Sequence, residues 1–219
     1  MPMELERHVL EWAKFQLTKL GGPVRLRVFA VQDHCVFCNT LDELVGKLAE
    51  MSDKITVLRS GFGPEEPVAK DYGIGIHPAV VVEGKKDYGI RFFGIPMGYQ
   101  FGVLVEDLVM ASTGVTDLGE EAKLKLRGVK SPVSIEVFTL PDCPGSPPMA
   151  RTAHKFCIEN SNISADVVDV LEFRELAAEK LVLGTPKTVI NGRAEVRGVV
   201  TERDLADLVR ALSASRGSP

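Results

Sequence analysis

Four cysteines in 219 residues are too sparse for a disulfide scaffold, and the chemistry of the chain concentrates on one close pair, Cys35-Val36-Phe37-Cys38. When such a pair opens a helix, its first sulfur meets free backbone amides and the positive end of the helix dipole, which favour the thiolate. Cys35 is then the nucleophile. Cys38, about one turn later, attacks the mixed disulfide formed by Cys35, so that the captured thiol leaves reduced and a Cys35–Cys38 disulfide remains. This reversible disulfide is the redox centre, and no bound cofactor is expected. A zinc site would need a second close pair of Cys or His ligands, which the sequence lacks, so no metal is expected either.

The elements around the pair must form a strand-to-helix junction. Residues 24–30 read as a strand that leads into Cys35, and Leu41, Leu44, Val45 and Leu48 mark the apolar stripe of the following helix. An amphipathic helix over 5–20 precedes them and stops at Gly21-Gly22-Pro23. Strands follow near 55–59, 79–83 and 90–93, then a helix over 101–110. The same order recurs later: a strand over 133–139, Cys143, a helix ending near Glu159, a strand at 165–169, a helix over 172–181, strands at 187–190 and 195–199, and a helix over 202–212. Cys35 and Cys143 are 108 positions apart, as are Pro78 and Pro186. Both landmarks shift together, which indicates a duplicated unit. The boundary falls between Ser112 and Gly128, giving units over 1–115 and 116–219. The expected architecture is α/β: two tandem units, each a mixed sheet (βαβ then ββα) covered by helices.

The chain is 45% hydrophobic and 26% charged, with a formal charge of −4 spread over interspersed side chains. Such a balance provides a core and no basic footprint for nucleic acid or an anionic membrane. Acidic residues near the N-terminus interrupt any apolar leader, and no long apolar span occurs, so a cytoplasmic protein is expected.

Pro78 and Pro186 each precede an apolar strand at the same distance from a cysteine. A cis bond there would turn the backbone toward the cysteine loop and offer its peptide groups, making Pro78, Thr185 and Pro186 the expected substrate-binding residues. His77 then sits beside the Cys35 sulfur, and His34 adjoins it in sequence. Both are accessory candidates for tuning the thiolate, with a solvent-exposed bystander as the equal alternative.

Taken jointly, Cys35-Val-Phe-Cys38, Gly75-Ile-His-Pro78, Phe92-Phe-Gly-Ile-Pro-Met-Gly-Tyr-Gln-Phe101, Ala153-His-Lys-Phe156 and Gly184-Thr-Pro-Lys-Thr-Val-Ile-Asn-Gly192 resemble the protein disulfide oxidoreductases of thermophiles and archaea, glutaredoxin-like proteins of two fused thioredoxin folds. The resemblance covers nearly the whole chain. It implies exchange of disulfides in protein substrates, with electrons from a thioredoxin-reductase-like enzyme or glutathione. Two departures stand out. The second unit reads Cys143-Pro-Gly-Ser146 where the family carries another Cys-x-x-Cys, so Cys143 is an accessory candidate that cannot close a disulfide with position 146. Cys157, 14 positions further and about 20 Å away by helical rise, reads as a packing residue. Phe29 occupies the place, six before the first cysteine, where many thioredoxins bury an acid, leaving Asp33, His34, His77 or water to take the proton of Cys38. Besides an exchange enzyme whose second unit helps bind substrate or relay electrons, two readings compete. One is a substrate-binding or chaperone module with the dithiol as an oxidation sensor. The other is a monothiol glutaredoxin-like site at Cys143.

Overall fold

A computed structural model describes residues 5–30, 37–61 and 66–214 of the chain. In chain order the elements are α1 (Arg7–Leu17), β1 (Val24–Phe29), α2 (Cys38–Glu50), β2 (Ile55–Ser60), α3 (Pro67–Asp71), β3 (Ala79–Glu83), β4 (Asp87–Phe93) and α4 (Tyr99–Thr113), followed by α5 (Glu120–Leu126), β5 (Val133–Thr139), α6 (Ser146–Glu159), β6 (Ile163–Asp169), α7 (Arg174–Glu179), β7 (Lys187–Ile190), β8 (Ala194–Arg197) and α8 (Glu202–Ala214). The order from β1 to α4 is thus repeated from β5 to α8. Two features differ from the sequence expectation. The opening helix ends at Leu17, giving way to tighter turns at Lys19 and Leu20 before Gly21, whose N–H donates to Ser112 Oγ of α4 at 3.0 Å. The short α3 is not anticipated, since five residues opened by a proline carry too little periodicity to be read.

The two halves do not keep separate sheets. All eight strands form one sheet in the order β2-β1-β3-β4-β6-β5-β7-β8, joined by parallel pairing of Ile90–Phe93 in β4 with Ala165–Val168 in β6. β1, β2, β4, β5, β6 and β8 run in the same direction, against β3 and β7, so the C-terminal ends of β1 and β5 lie along the same edge of the sheet. Strand alternation divides the core. Leu26, Val28, Val80 and Val82 face a large apolar layer with α2, α4, α6 and α8, whereas Phe29, Ala79 and Val81 face a smaller one under α3 and α7. At the β3–β4 turn, a Cβ on Gly84 would lie 1.8 Å from the Ala111 carbonyl oxygen, so only glycine lets this turn rest on α4.

Polar groups tie the halves together. His154 Nδ1 and Asp107 Oδ2 are 2.6 Å apart between α6 and α4, both fully buried, and the His154 ring meets Phe92 of β4 edge-on with centroids 5.0 Å apart. Burial pushes the Asp107 carboxyl up from its ordinary range, against the pull of His154. Beyond β4, the Ile95 N–H donates to Glu172 Oε1 at 2.6 Å. Burial raises the Glu172 carboxyl to about 7, only partly offset by that N–H, and the Asp169 charge adds to the rise.

The first half holds a second buried carboxylate, Glu83 on β3. It receives Arg25 Nε at 2.5 Å, Arg27 Nε at 2.9 Å and the Tyr72 hydroxyl. Burial disfavours its charge, but the hydrogen bonds from Tyr72, Arg27 and Arg25 prevail and hold its pKa below the ordinary value.

Removing this acceptor leaves the largely buried Arg27 without its carboxylate, while half-exposed Arg25 can turn to water, so Glu83→Ala is expected to destabilise the fold by about 3 kcal/mol in urea melts at pH 7. Because the folded pKa is depressed, the stabilisation is present above pH 4.5 and is lost as the pH falls through the folded value, narrowing the gap between variant and parent. A gap that stays constant into acid would show that the charge of Glu83 is not what matters.

Glu172 has the opposite sign. The folded protein binds more protons there between pH 4.5 and about 7, so the stability contributed by Glu172 falls as the pH rises through that window. Glu172→Gln keeps the acceptor for Ile95 without a charge, and it should gain on the parent protein between melts at pH 5 and pH 8. Identical pH dependence in the two proteins would refute the assignment.

Candidate functional site

In the first half, Cys38 is the first residue of α2, nearly buried at 5% exposure and disulfide-bonded. Cys143 and Cys157 are free thiols. The remaining cysteine of the sequence, Cys35, lies outside the described residues together with Asp33 and His34. The His77–Pro78 bond is cis, as expected. Pro78 is buried and leads directly into Ala79, which pairs with Phe29 at the end of β1, so it lies beside the strand that feeds the cysteine segment. His77 is half-buried, and burial lowers its pKa below the usual histidine value. At neutral pH its imidazole is uncharged, so it can accept a proton and adds no positive charge to favour a thiolate. Phe29 is fully buried with its ring 5.8 Å from that of Tyr72, so apolar packing fills the place of an acid.

The second half brings Cys143, Thr185 and Pro186 together as the sequence indicates. The Thr185–Pro186 bond is cis and Pro186 is buried. The Cys143 thiol donates to the Thr185 carbonyl oxygen at 3.3 Å. The Cys143 carbonyl accepts the Ser146 N–H at 3.1 Å, which closes a turn into α6. Ser146, the first residue of α6, is fully buried, and its position matches that of Cys38 in α2. Burial works against ionisation of Cys143, but hydrogen bonding from the side chains of Ser146 and Thr185 and from the backbone N–H groups of Gly145 and Ser146 outweighs it, leaving the thiol below its ordinary pKa. Cys157 is the reverse case: fully buried in α6 with its thiol on the Ala153 carbonyl at 3.4 Å, it is pushed well above the ordinary thiol value by burial.

The strand register refines the repeat. β1 and β5 are offset by 109 residues, since Val28 pairs with Val80 as Val137 pairs with Thr188, whereas the cysteines are offset by 108. The segment from Phe138 to Cys143 is therefore one residue shorter than that from Phe29 to Cys35. Four inter-strand steps separate β1 from β5, roughly 19 Å at the usual strand spacing. The two cysteine sites share an edge of the sheet without sharing a sulfur–sulfur contact distance.

Sequence reasoning missed the buried Asp169 at the end of β6, the half-buried Glu172 just before α7, and the buried Gln100 at the start of α4. Their only trace is a polar residue just past an apolar strand, a pattern shared with any turn. Among the described residues, no group of three or more His, Cys, Asp or Glu side chains is placed to hold a metal ion, and no helix is long and apolar enough to cross a membrane.

Comparison with known proteins places this geometry. Residues 133–210 match the family model Thioredoxin_3, a thioredoxin domain. A protein disulfide oxidoreductase from Aeropyrum pernix K1 superposes with a TM-score of 0.88 over 99% of this chain and 97% of that one, at 24% identity. The NTD_N/C domain of alkylhydroperoxide reductase AhpF from Enterococcus faecalis V583 gives 0.87 over 94% and 100%, at 22% identity. In sequence, the chain is 24% identical over 197 residues to the corresponding alkyl hydroperoxide reductase component, AhpF, of Escherichia coli K12, covering 90% of this chain and 36% of that protein. The chain spans about a third of the length of the curated relatives it matches. It is a thioredoxin-fold protein, with a thioredoxin domain over residues 133–210 and a whole-chain fold shared with an archaeal protein disulfide oxidoreductase.

Proposed function

We propose that the chain is a thiol–disulfide oxidoreductase that acts on protein disulfides through the Cys35/Cys38 dithiol, in a reducing, cytoplasmic setting. The observation that carries this reading is the disulfide-bonded Cys38 on the first turn of α2, at the end of the sheet where Pro78 enters β3. Cys35, three residues earlier, is its proposed partner and the nucleophile. Its thiolate attacks one sulfur of a substrate disulfide and expels the other as a thiolate. Cys38 then attacks the Cys35 sulfur, and the second substrate sulfur leaves reduced. Neutral His77 is the proposed acceptor for the Cys38 proton, since burial holds it uncharged at neutral pH.

The division into units over 1–115 and 116–219 belongs to the same reading. The second unit would hold substrate at Thr185 and Pro186 instead of relaying electrons, because a disulfide needs Cα atoms within about 7 Å and the strands that lead to the two sites, β1 and β5, are roughly 19 Å apart. The likeness to the alkyl hydroperoxide reductase component AhpF supports a place in a thiol relay, with a thioredoxin-reductase-like enzyme or glutathione as the proposed donor.

Cys35→Ser is expected to abolish reduction of a model protein disulfide such as insulin in the presence of a chemical reductant. Cys38→Ser should still attack the substrate but accumulate a mixed disulfide, visible as a covalent adduct on non-reducing gels. Multiple turnover at the parent rate in either variant would overturn the proposal.

A further inference from the structure

Lys187 is the one lysine or arginine buried among the described residues, at 1% exposure. An ammonium out of water is tolerated only with acceptors around it. Its acceptors are the carbonyl oxygens of Lys180 and, at 3.3 Å, Leu181, at the end of α7 where intrahelical donors run out, and Glu195 Oε1 of β8 at 2.8 Å. Lys187 directly follows the cis Thr185–Pro186 bond. Its side chain therefore reaches back across the loop that it ends and ties residues 181–186 into a closed ring carrying Thr185 and Pro186.

The first half reaches the same result by another route. α3 and α7 end hydrogen bond for hydrogen bond alike: the N–H groups of Tyr72, Gly73 and Ile74 donate to the carbonyls of Val68, Lys70 and Ala69, and 108 positions later those of Lys180, Leu181 and Val182 donate to Leu176, Ala178 and Ala177. Gly73 and Leu181 both take the left-handed backbone, with φ of 66° and 51°. The carbonyl of Tyr72, the counterpart of Lys180, also meets a cation, but the donor is Arg91 Nε of β4, at 2.8 Å. Ala79 stands at the position of Lys187 and has nothing to donate. Glu195 stands at the position of Arg91, since Arg91 pairs with Val81 as Glu195 pairs with Val189. Two side chains on different strands thus bring a positive charge to the same carbonyl, six residues before each cis-proline. Apolar side chains would satisfy packing at these places, so the recurring feature is the hold on the carbonyl and on the loop that follows it.

We propose that Lys187 and Arg91 are positioning residues for substrate, each fixing the loop that presents a cis-proline. Lys187 holds the peptide groups of Thr185 and Pro186 beside Cys143, and Arg91 holds the approach to Pro78. A loop fixed in advance offers its peptide groups in one arrangement, so that binding a substrate segment does not also have to order them. This rests on the reading of Pro78, Thr185 and Pro186 as substrate contacts.

The test reads amide exchange and insulin reduction side by side in the full-length protein. Lys187→Met keeps the apolar stem and releases Glu195, which already reaches solvent. Exchange at Leu181 and Val182 should quicken by about tenfold, the worth of one hydrogen bond to a charged group, while Gly73 and Ile74 keep their parent rates. KM for insulin should rise about three- to tenfold at unchanged kcat, the mark of lost binding. Arg91→Met should show the converse pattern of exchange. Lys187→Ala with Glu195→Arg copies the pair Ala79 and Arg91 into the second half and should return both readouts to the parent values; with Arg91→Met, it carries the test should Lys187→Met fail to fold. Parent rates at Leu181 and Val182 in Lys187→Met, equal quickening in both loops, an unchanged KM despite faster exchange, or no recovery in the paired variant would each overturn the proposal. A parent protein that does not reduce insulin would instead sink the Cys35/Cys38 reading, and the exchange rates would still decide whether the cations hold the loops.

Discussion

Four residues of β4, Ile90 to Phe93, lie in parallel register with Ala165 to Val168 of β6, and the arrangement of everything chemical in the chain rests on that short seam. By itself each half would end in an unpaired strand, β4 or β6, on the side facing the other half. Parallel pairing of these two strands aligns β1 with β5, which places Cys38 and Cys143 on the same edge of a single sheet. The seam is reinforced from above, where Asp107 of α4 meets His154 of α6 and the imidazole rests on Phe92 of the seam strand itself. A buried pair of this kind holds geometry more than it adds stability, since desolvating both groups offsets most of their attraction.

The two cysteine sites show how one scaffold sets different thiol chemistry through the residue one turn later. Cys38 and Ser146 occupy matching first positions of α2 and α6, yet one is a disulfide partner and the other a buried hydroxyl. A sulfur there completes an exchange, whereas an oxygen there can only stabilise charge. Cys157, a few turns along α6 from Ser146, shows the effect of environment alone: out of water and without donors to its sulfur, the same thiol is pushed toward its neutral form.

Local features were legible in the sequence. The Cys35/Cys38 spacing, the two prolines, the repeat and the order of the long elements all follow from periodicity and from residues with narrow conformational ranges. What escaped reading depends on distant contacts. β4 and β6 are separated by some seventy residues, and an apolar run carries no mark of which edge it will join. Asp107 and His154 left a faint one: Asp107 sits in the stripe formed by Leu104, Leu108 and Ala111, where a helix facing a core has no use for an unpaired acid. The one-residue difference between the strand offset and the cysteine offset became visible only with the register, because spacing between landmarks cannot tell where in a loop a residue is missing.

Joining β4 to β6 also decides how the sheet meets its surroundings. Among the described residues, the strand edges left open are those of β2 and β8, at opposite ends of an eight-stranded ribbon. β8 is four residues long and turns Glu195 and Arg197 to solvent, and β2 carries Arg59 in an ion pair with Asp42. Short, charged margins recruit foreign strands poorly. The internal joint therefore removes the two longest bare edges of the halves from intermolecular pairing, protecting against aggregation a protein whose proposed work is to handle misbridged chains.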